Sequence, residues 1–283
     1  VTLLALLLCL AFGGVVGVAS GLLGIGGGIL IVPFLYVLLE GSGWSGVVSD
    51  PAHHATLAHA TSLAVILPTS ISGLVAYRKA GVVSWSLVLP LGVVAGVAAI
   101  GGAAVATYLP GQLLRLSFAT FLVIIGLQLL GVFSARKKGG EGAKASEPAE
   151  VRDLALFQVL GGGALTGFLS ALLGIGGGLV AIPILIHWAR LELHRVAAAS
   201  IGIVVFAASA GMVTYIGTGW SVPGLPAGSQ GFIFLPAALA MAPGAVLMAP
   251  YGARLNQRLP VPVLRRIFGG VLLTVAARLF LGS

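Results

Sequence analysis

Residues 20–35 read SGLLGIGGGILIVPFL and residues 170–185 read SALLGIGGGLVAIPIL, ten identities in sixteen positions at an offset of 150. In each copy an apolar run breaks at a GIGGG cluster and resumes as a shorter apolar piece carrying a proline, Pro33 or Pro183. Glycine reaches positive φ without steric cost, so the cluster lets the chain unwind and turn. The pieces that follow, 29–39 and 179–189, have eleven residues each. As helices they rise only about 16 Å, too little for a hydrocarbon core ~30 Å thick.

The repeat continues outward from the two clusters. Through the next apolar run the offset is 138, pairing Ser62 with Ser200, Gly73 with Gly211, Tyr77 with Tyr215 and Gly81 with Gly219. It returns to 150 for Leu109-Pro110 with Leu259-Pro260, Arg115 with Arg265 and Phe118 with Phe268. One extra loop in each half, around 41–52 and around 220–231, accounts for the slip. The pairs include Gly, Pro and Arg as well as Leu and Val, which marks an internal duplication rather than chance similarity between apolar segments.

Of the 283 residues, 58% are hydrophobic and 8% are charged, against about 25% charged in a soluble protein. The mean hydropathy is +1.12. Too few polar side chains remain to cover a water-facing surface, which excludes a soluble enzyme, a nucleic-acid binder and a disordered chain. Runs long enough to span a bilayer lie at 3–20, 55–77, 85–108, 111–133, 154–170, 196–217, 231–251 and 262–281. They lack period-2 alternation, and in lipid the backbone must satisfy itself, so they are helices. The expected fold is an all-α polytopic membrane protein: a first repeat over 1–133, a linker over 134–153 and a second repeat over 154–283. The stretch 1–20 has no basic start and matches 150–170, so it reads as a span rather than a cleaved signal. Trp44, Trp85, Trp188 and Trp220 fall at predicted ends, as interfacial anchors do.

The net charge of +8 is concentrated in short connections, a positive-inside pattern rather than a nucleic-acid surface. Lys and Arg cluster at 78–79, 134–152, 190–195 and 252–266, and are scarce at 40–54, 109–111 and 218–230. Placing the basic connections in the cytoplasm puts the linker inside and both termini outside. The segment 154–189 then leaves and returns on the cytoplasmic side, and by the repeat 3–39 does so on the outer side. Each half is a hairpin-like unit plus three spans, an odd parity that inverts one half against the other. Inverted repeats with interrupted helices are the architecture of secondary transporters.

The chemistry lies at the breaks. The first N–H groups of the helix after each break have no intrahelical partner and carry the positive end of the dipole. Two breaks entering from opposite faces present them toward the midplane, an anion site made of backbone. Its residues are Gly24, Ile25, Gly26, Gly27 and Gly28 in one copy, and Gly174, Gly176, Gly177 and Gly178 in the other. A bulky residue at Gly27 is expected to abolish binding and leave folding intact. Soluble readings of the motif fail: Ile29 stands where a dinucleotide fingerprint needs its third glycine, and no Lys-Ser/Thr pair follows. Glycines also serve close helix packing, and Gly92, Gly96, Gly101 and Gly102 are read that way.

Ser20 and Ser170 stand just before the breaks; Thr61, Ser62 and Ser200 lie on the helices that follow. Their hydroxyls are candidate anion donors, with back-bonding to a carbonyl one turn earlier as the alternative. His59, the one histidine within a span, is a candidate proton or charge relay, or a neutral packing residue. Arg115 and Arg265 either snorkel to the interface or steer anions. All seven acids, Glu40, Asp50, Glu141, Glu147, Glu150, Asp153 and Glu192, are assigned to connections. Cation carriers and proton pumps usually keep an intramembrane carboxylate, so its absence fits an anion. The single cysteine, Cys9, excludes an internal disulfide and a cysteine metal site. His54 and His59 are five apart, the wrong spacing for metal ligands on one helix face. No cofactor and no enzymatic constellation is expected.

The paired G-x-G-G-G breaks, Ala60-Thr61-Ser62-Leu63 and the later Gly81-Val82-Val83-Ser84-Trp85 together resemble the TauE/SafE sulfite exporter family, over both halves apart from the linker. The resemblance implies transport of small sulfur-containing anions such as sulfite or organosulfonates across the cell inner (plasma) membrane. The second half departs from the pattern with Ala199-Ser200-Ile201, one hydroxyl fewer, so an asymmetric site is expected. The expected function is a secondary carrier working by alternating access, with an anion channel as the alternative. The expected partners are the sulfur anion, the lipid bilayer and, in a homodimer, a second copy, with no nucleic acid.

Overall fold

The computed structural model describes residues 3–40, 51–130, 156–187, 193–256 and 261–281. Ten α-helices occupy them: α1 (Leu3–Leu23), α2 (Gly28–Glu40), α3 (His54–Lys79), α4 (Trp85–Tyr108), α5 (Gly111–Leu129), α6 (Leu156–Leu173), α7 (Gly178–His187), α8 (Leu193–Gly219), α9 (Leu235–Asn256) and α10 (Val261–Leu281). The chain is an all-α polytopic membrane protein. Six of the helices, α1, α3, α4, α5, α8 and α9, are long and apolar enough to cross a bilayer. Helix ends follow local chemistry: α3 stops where Gly81 takes φ +71. α4 stops at Leu109, extended at ψ 139 because a residue before proline avoids the helical region.

Helix pairings are reciprocal between the halves. α1 packs along α9 as α6 packs along α4, α3 meets α9 as α8 meets α4, and α2 lies on α3 as α7 lies on α8. α3 with α8 and α5 with α10 join the halves. Small residues make the long contacts, as they do where lipid supplies no hydrophobic drive. A Cβ added at Gly13, Gly17 or Gly21 of α1 would stand 2.1, 2.3 or 2.0 Å from the carbonyl oxygen of Met241, Ala245 or Ala249. The counterpart zipper places Gly167 against the Ala95 carbonyl and Gly102 against that of Phe168. Gly92 likewise fits under the Phe206 ring.

The surface is inside-out relative to a soluble protein. Val97, Leu247 and Phe157 are exposed, whereas His59, Thr61, Ser62, Ser70 and Ser200 are buried. Trp85 opens α4 and Trp220 follows α8, both exposed, while Trp44, Trp188 and the linker 134–153 lie outside the described residues. Glu40 is the last residue of α2 rather than part of a connection; the other six acids lie outside the described residues. The span expected at 231–251 begins only at Leu235. Ahead of it, Ser229–Gln230 (β1) and Ile233–Phe234 (β2) form an antiparallel ribbon that turns through Gly231 at φ +55.

Candidate functional site

Both glycine clusters are true helix breaks at the centre of the bundle. α1 ends at Leu23 and α2 restarts at Gly28; α6 ends at Leu173 and α7 restarts at Gly178. The two breaks share one backbone path, with φ +69, +79 and +84 at Gly24, Gly26 and Gly27, and +63, +78 and +76 at Gly174, Gly176 and Gly177. All of these glycines are buried. The breaks also touch. A Cβ on Gly28 would stand 2.5 Å from the Gly174 carbonyl oxygen, and one on Gly178 would stand 2.5 Å from that of Gly24. Ile66 of α3 and Val204 of α8 cover Gly26 and Gly176 together.

Around the breaks a set of carbonyls on each side has donors, while a run of amide donors in each copy has no acceptor among the described residues. The Gly21 carbonyl accepts from the Tyr77 hydroxyl at 2.6 Å, and its repeat partner Ala171 accepts from Tyr215 at 2.9 Å. Leu22 is served by Asn256 Nδ2 at 2.6 Å, and Leu172 by His59 Nδ1 at 3.0 Å. Ser200 donates to the Gly24 carbonyl at 2.8 Å, and Ser62 to that of Gly174. By contrast, the N–H groups of Gly26, Gly27, Gly28 and Ile29, and of Gly176, Gly177, Gly178 and Leu179, make no hydrogen bond among the described residues. The next donors in each copy, Leu30 with Ile31 and Val180 with Ala181, already bond the carbonyls of Gly27 and Gly177. The Ser20 and Ser170 hydroxyls are fully buried and without a partner. A buried set of bare donors favours an acceptor-only guest, an anion.

The hydroxyls expected on the following helices have distinct places. Ser62 and Ser200 each clamp the break of the opposite half, and Ser200 also reaches the Gly178 carbonyl at 3.1 Å. Neither back-bonds one turn earlier, as Thr69, Ser209 and Thr214 do. Thr61 turns to the ribbon and accepts the Phe234 N–H at 2.9 Å.

His59 is tied at both ring nitrogens. The Leu172 carbonyl only accepts, so Nδ1 carries the proton; Nε2 then accepts from the Tyr36 hydroxyl at 3.1 Å. Phe118 packs 5.5 Å from the imidazole, and the Arg115 guanidinium lies 5.6 Å from the Tyr36 ring centre. The Arg265 side chain lies outside the described ones.

Gly27 departs from expectation: an added Cβ would meet Val16 Cγ1 at 2.6 Å, so a bulky residue there disturbs packing as well as any bound anion. Sequence reasoning missed Asn256 and Tyr36, which have no equivalents in the other half. It also missed Ser70, buried with an unpartnered hydroxyl two turns along α3 from Ser62. Tyr77 and Tyr215 were visible as a pair in the repeat, but their role needed the fold.

A family model described as "Sulfite exporter TauE/SafE" matches residues 9–279. The chain belongs to that family. It is 30% identical to a "Probable membrane transporter protein" of Haemophilus influenzae, over 98% of each chain. A protein of Methanocaldococcus jannaschii with the same description is 28% identical over 95% of this chain and 93% of its own. One of Bacillus subtilis is 28% identical over 98% and 97%. No solved structure matches. As a TauE/SafE member the chain is a multi-pass membrane transporter, and its bare donors gather at the two breaks.

Proposed function

We propose that this TauE/SafE member is a secondary carrier that exports small sulfur-containing anions, such as sulfite or organosulfonates, by alternating access around the paired glycine breaks. The observation that carries this reading is the imbalance at the breaks: eight amide N–H groups without a partner beside two buried, unpartnered serine hydroxyls. Sulfite and sulfonates offer several acceptor oxygens and a negative charge, which suits donors at two helix N-termini. Among the described residues the only acid is Glu40, at the end of α2. Export needs no intramembrane carboxylate, because a negative cytoplasm drives an anion outward by about 2.3 kcal/mol per charge per 100 mV. The family description and the transporter names of the relatives support the class. In the cell inner membrane, the linker faces the cytoplasm and the halves are inverted.

A thermal-shift series of the purified protein against sulfite, sulfoacetate, taurine, thiosulfate, sulfate and chloride tests the ligand class, since a ligand stabilises by mass action. Stabilisation by sulfite or a sulfonate well below the concentration needed for chloride is expected; equal response to all six overturns the substrate class. Saturable, exchange-stimulated flux in liposomes is the carrier result, and unitary currents are the channel result.

A further inference from the structure

The glycines of the two breaks share one cover. Gly26 and Gly176 are partners in the repeat at the offset of 150, and Ile66 and Val204 at the offset of 138. Each of these two side chains touches both glycines. A Cβ added at Gly26 would stand 3.2 Å from Ile66 Cγ2 and from Val204 Cγ1, and one at Gly176 would stand 3.0 and 3.2 Å from the same atoms. Among the described residues no other side chain outside the breaks comes as near to either position. Ile66 Cδ1 also comes within 2.8 Å of a Cβ added at Gly28. The N–H groups of Gly26, Gly28 and Gly176 belong to the bare run, so the pair lies against residues whose donors await a guest. Both side chains are fully buried. The hydroxyls one turn before them, Ser62 and Ser200, are spent on the Gly174 and Gly24 carbonyls, so what α3 and α8 present at Gly26 and Gly176 is hydrocarbon.

We infer that Ile66 and Val204 are the specificity-determining side chains of the site, setting the bulk of the anion that the paired breaks accept. Amide donors serve the oxygens of any oxyanion alike, so they select for charge and leave size undecided. Size is decided by what packs on them. Interiors are filled to the density of organic crystals, so a guest taken up at Gly26 and Gly176 gains its room where these two side chains stand. Both cover the same two glycines, and shortening either one therefore widens one common space. A single methylene in an apolar pocket changes discrimination by roughly tenfold or more. The hydrocarbon that Ile66 and Val204 offer suits an apolar substituent on sulfur better than a further charged oxygen.

This inference rests on the carrier reading and deepens it, and one experiment separates their failures. Methanesulfonate, ethanesulfonate and propanesulfonate carry the same charge and differ only in length. Each is titrated against radiolabelled sulfite bound to the detergent-purified protein, in oxygen-free buffer, by equilibrium dialysis. The readout is the preference for propanesulfonate over methanesulfonate. Ile66→Ala and Val204→Ala are each expected to raise it by roughly tenfold or more, and Val204→Ile to lower it. Ile66→Val, which removes a single methylene, is the milder variant should Ile66→Ala not fold. Val65→Ala trims an equally buried residue of α3 that is not among the atoms nearest the glycines of the breaks. Its preference stays at the wild-type value even where its melting temperature falls. An unchanged preference in the Ile66 and Val204 variants overturns their role and leaves the carrier reading standing, as does an equal change in Val65→Ala. A change in one member of the pair alone overturns the common space. No sulfite bound by the wild type overturns the carrier reading and this inference with it.

Discussion

Ser62 of α3 donates to the Gly174 carbonyl, whereas Ser20 of α1 has no partner, so the same substitution has opposite consequences at the two positions. Ser62→Ala strips a buried carbonyl of its donor and is expected to cost about 1–3 kcal/mol, seen as a lower melting temperature in anion-free detergent. Ser200→Ala, acting on Gly24, belongs with it. Ser20→Ala leaves that temperature unchanged and shows its effect only when anion is added. His59→Phe preserves ring volume but deprives the Leu172 carbonyl and the Tyr36 hydroxyl of the partner that each has in His59. A loss of about 1–3 kcal/mol is again expected, and a wild-type melting temperature would show that the tie bears no load. The need for a donor at the last turn is symmetric, since Leu22 and Leu172 are repeat partners. The donors are not: Asn256 comes from α9 and His59 from α3.

Among the elements, the half-helices depend on glycine in two separable ways. At Gly27 the backbone sits at φ +84, and a side chain there costs about 1–2 kcal/mol for the left-handed conformation alone. Its Cβ would also press on Val16, adding overpacking of about 1–3 kcal/mol. Gly27→Leu is therefore expected to lower the yield of folded protein on size-exclusion chromatography, and not to be a clean binding mutant. Gly17 has helical backbone and fails for space alone, its Cβ falling 2.3 Å from the Ala245 carbonyl oxygen. Gly17→Leu is expected to drive α1 off α9 and destabilise the fold, while Gly161→Ala, with open space around it, is tolerated. Equal behaviour of the two variants in a melting assay would contradict the zipper.

At the scale of the molecule, the reciprocal pairing of helices follows the duplication read from sequence, and the proposed orientation rests on the charge distribution. With Cys9 replaced by Ala, a cysteine at Ser146 in the linker is expected to react with an impermeant maleimide in inside-out vesicles and not in intact cells. Reaction in intact cells would reverse the topology. Inside-negative potential is expected to speed outward flux of sulfite from right-side-out vesicles, and an indifferent rate would argue for an electroneutral cycle.

Hydropathy, the offsets of 150 and 138 and the two GIGGG clusters were enough to place the described helices within a few residues and the breaks between them. Those properties are local: run length, charge and the conformational freedom of glycine act within a stretch of chain. Ribbon β1–β2 escaped because its strands have two residues each, too short for a pattern. The occupancy of the site belongs to the tertiary structure. Ser62 meets Gly174 across 112 residues and Ser200 meets Gly24 across 176. Only the packing of α3 and α8 over the opposite breaks decides which hydroxyls are used up as clamps and which remain bare. A hydrogen bond satisfied between distant elements leaves no periodicity in the sequence, so the chain announced where its donors gather, and the fold alone chose which of them stay free.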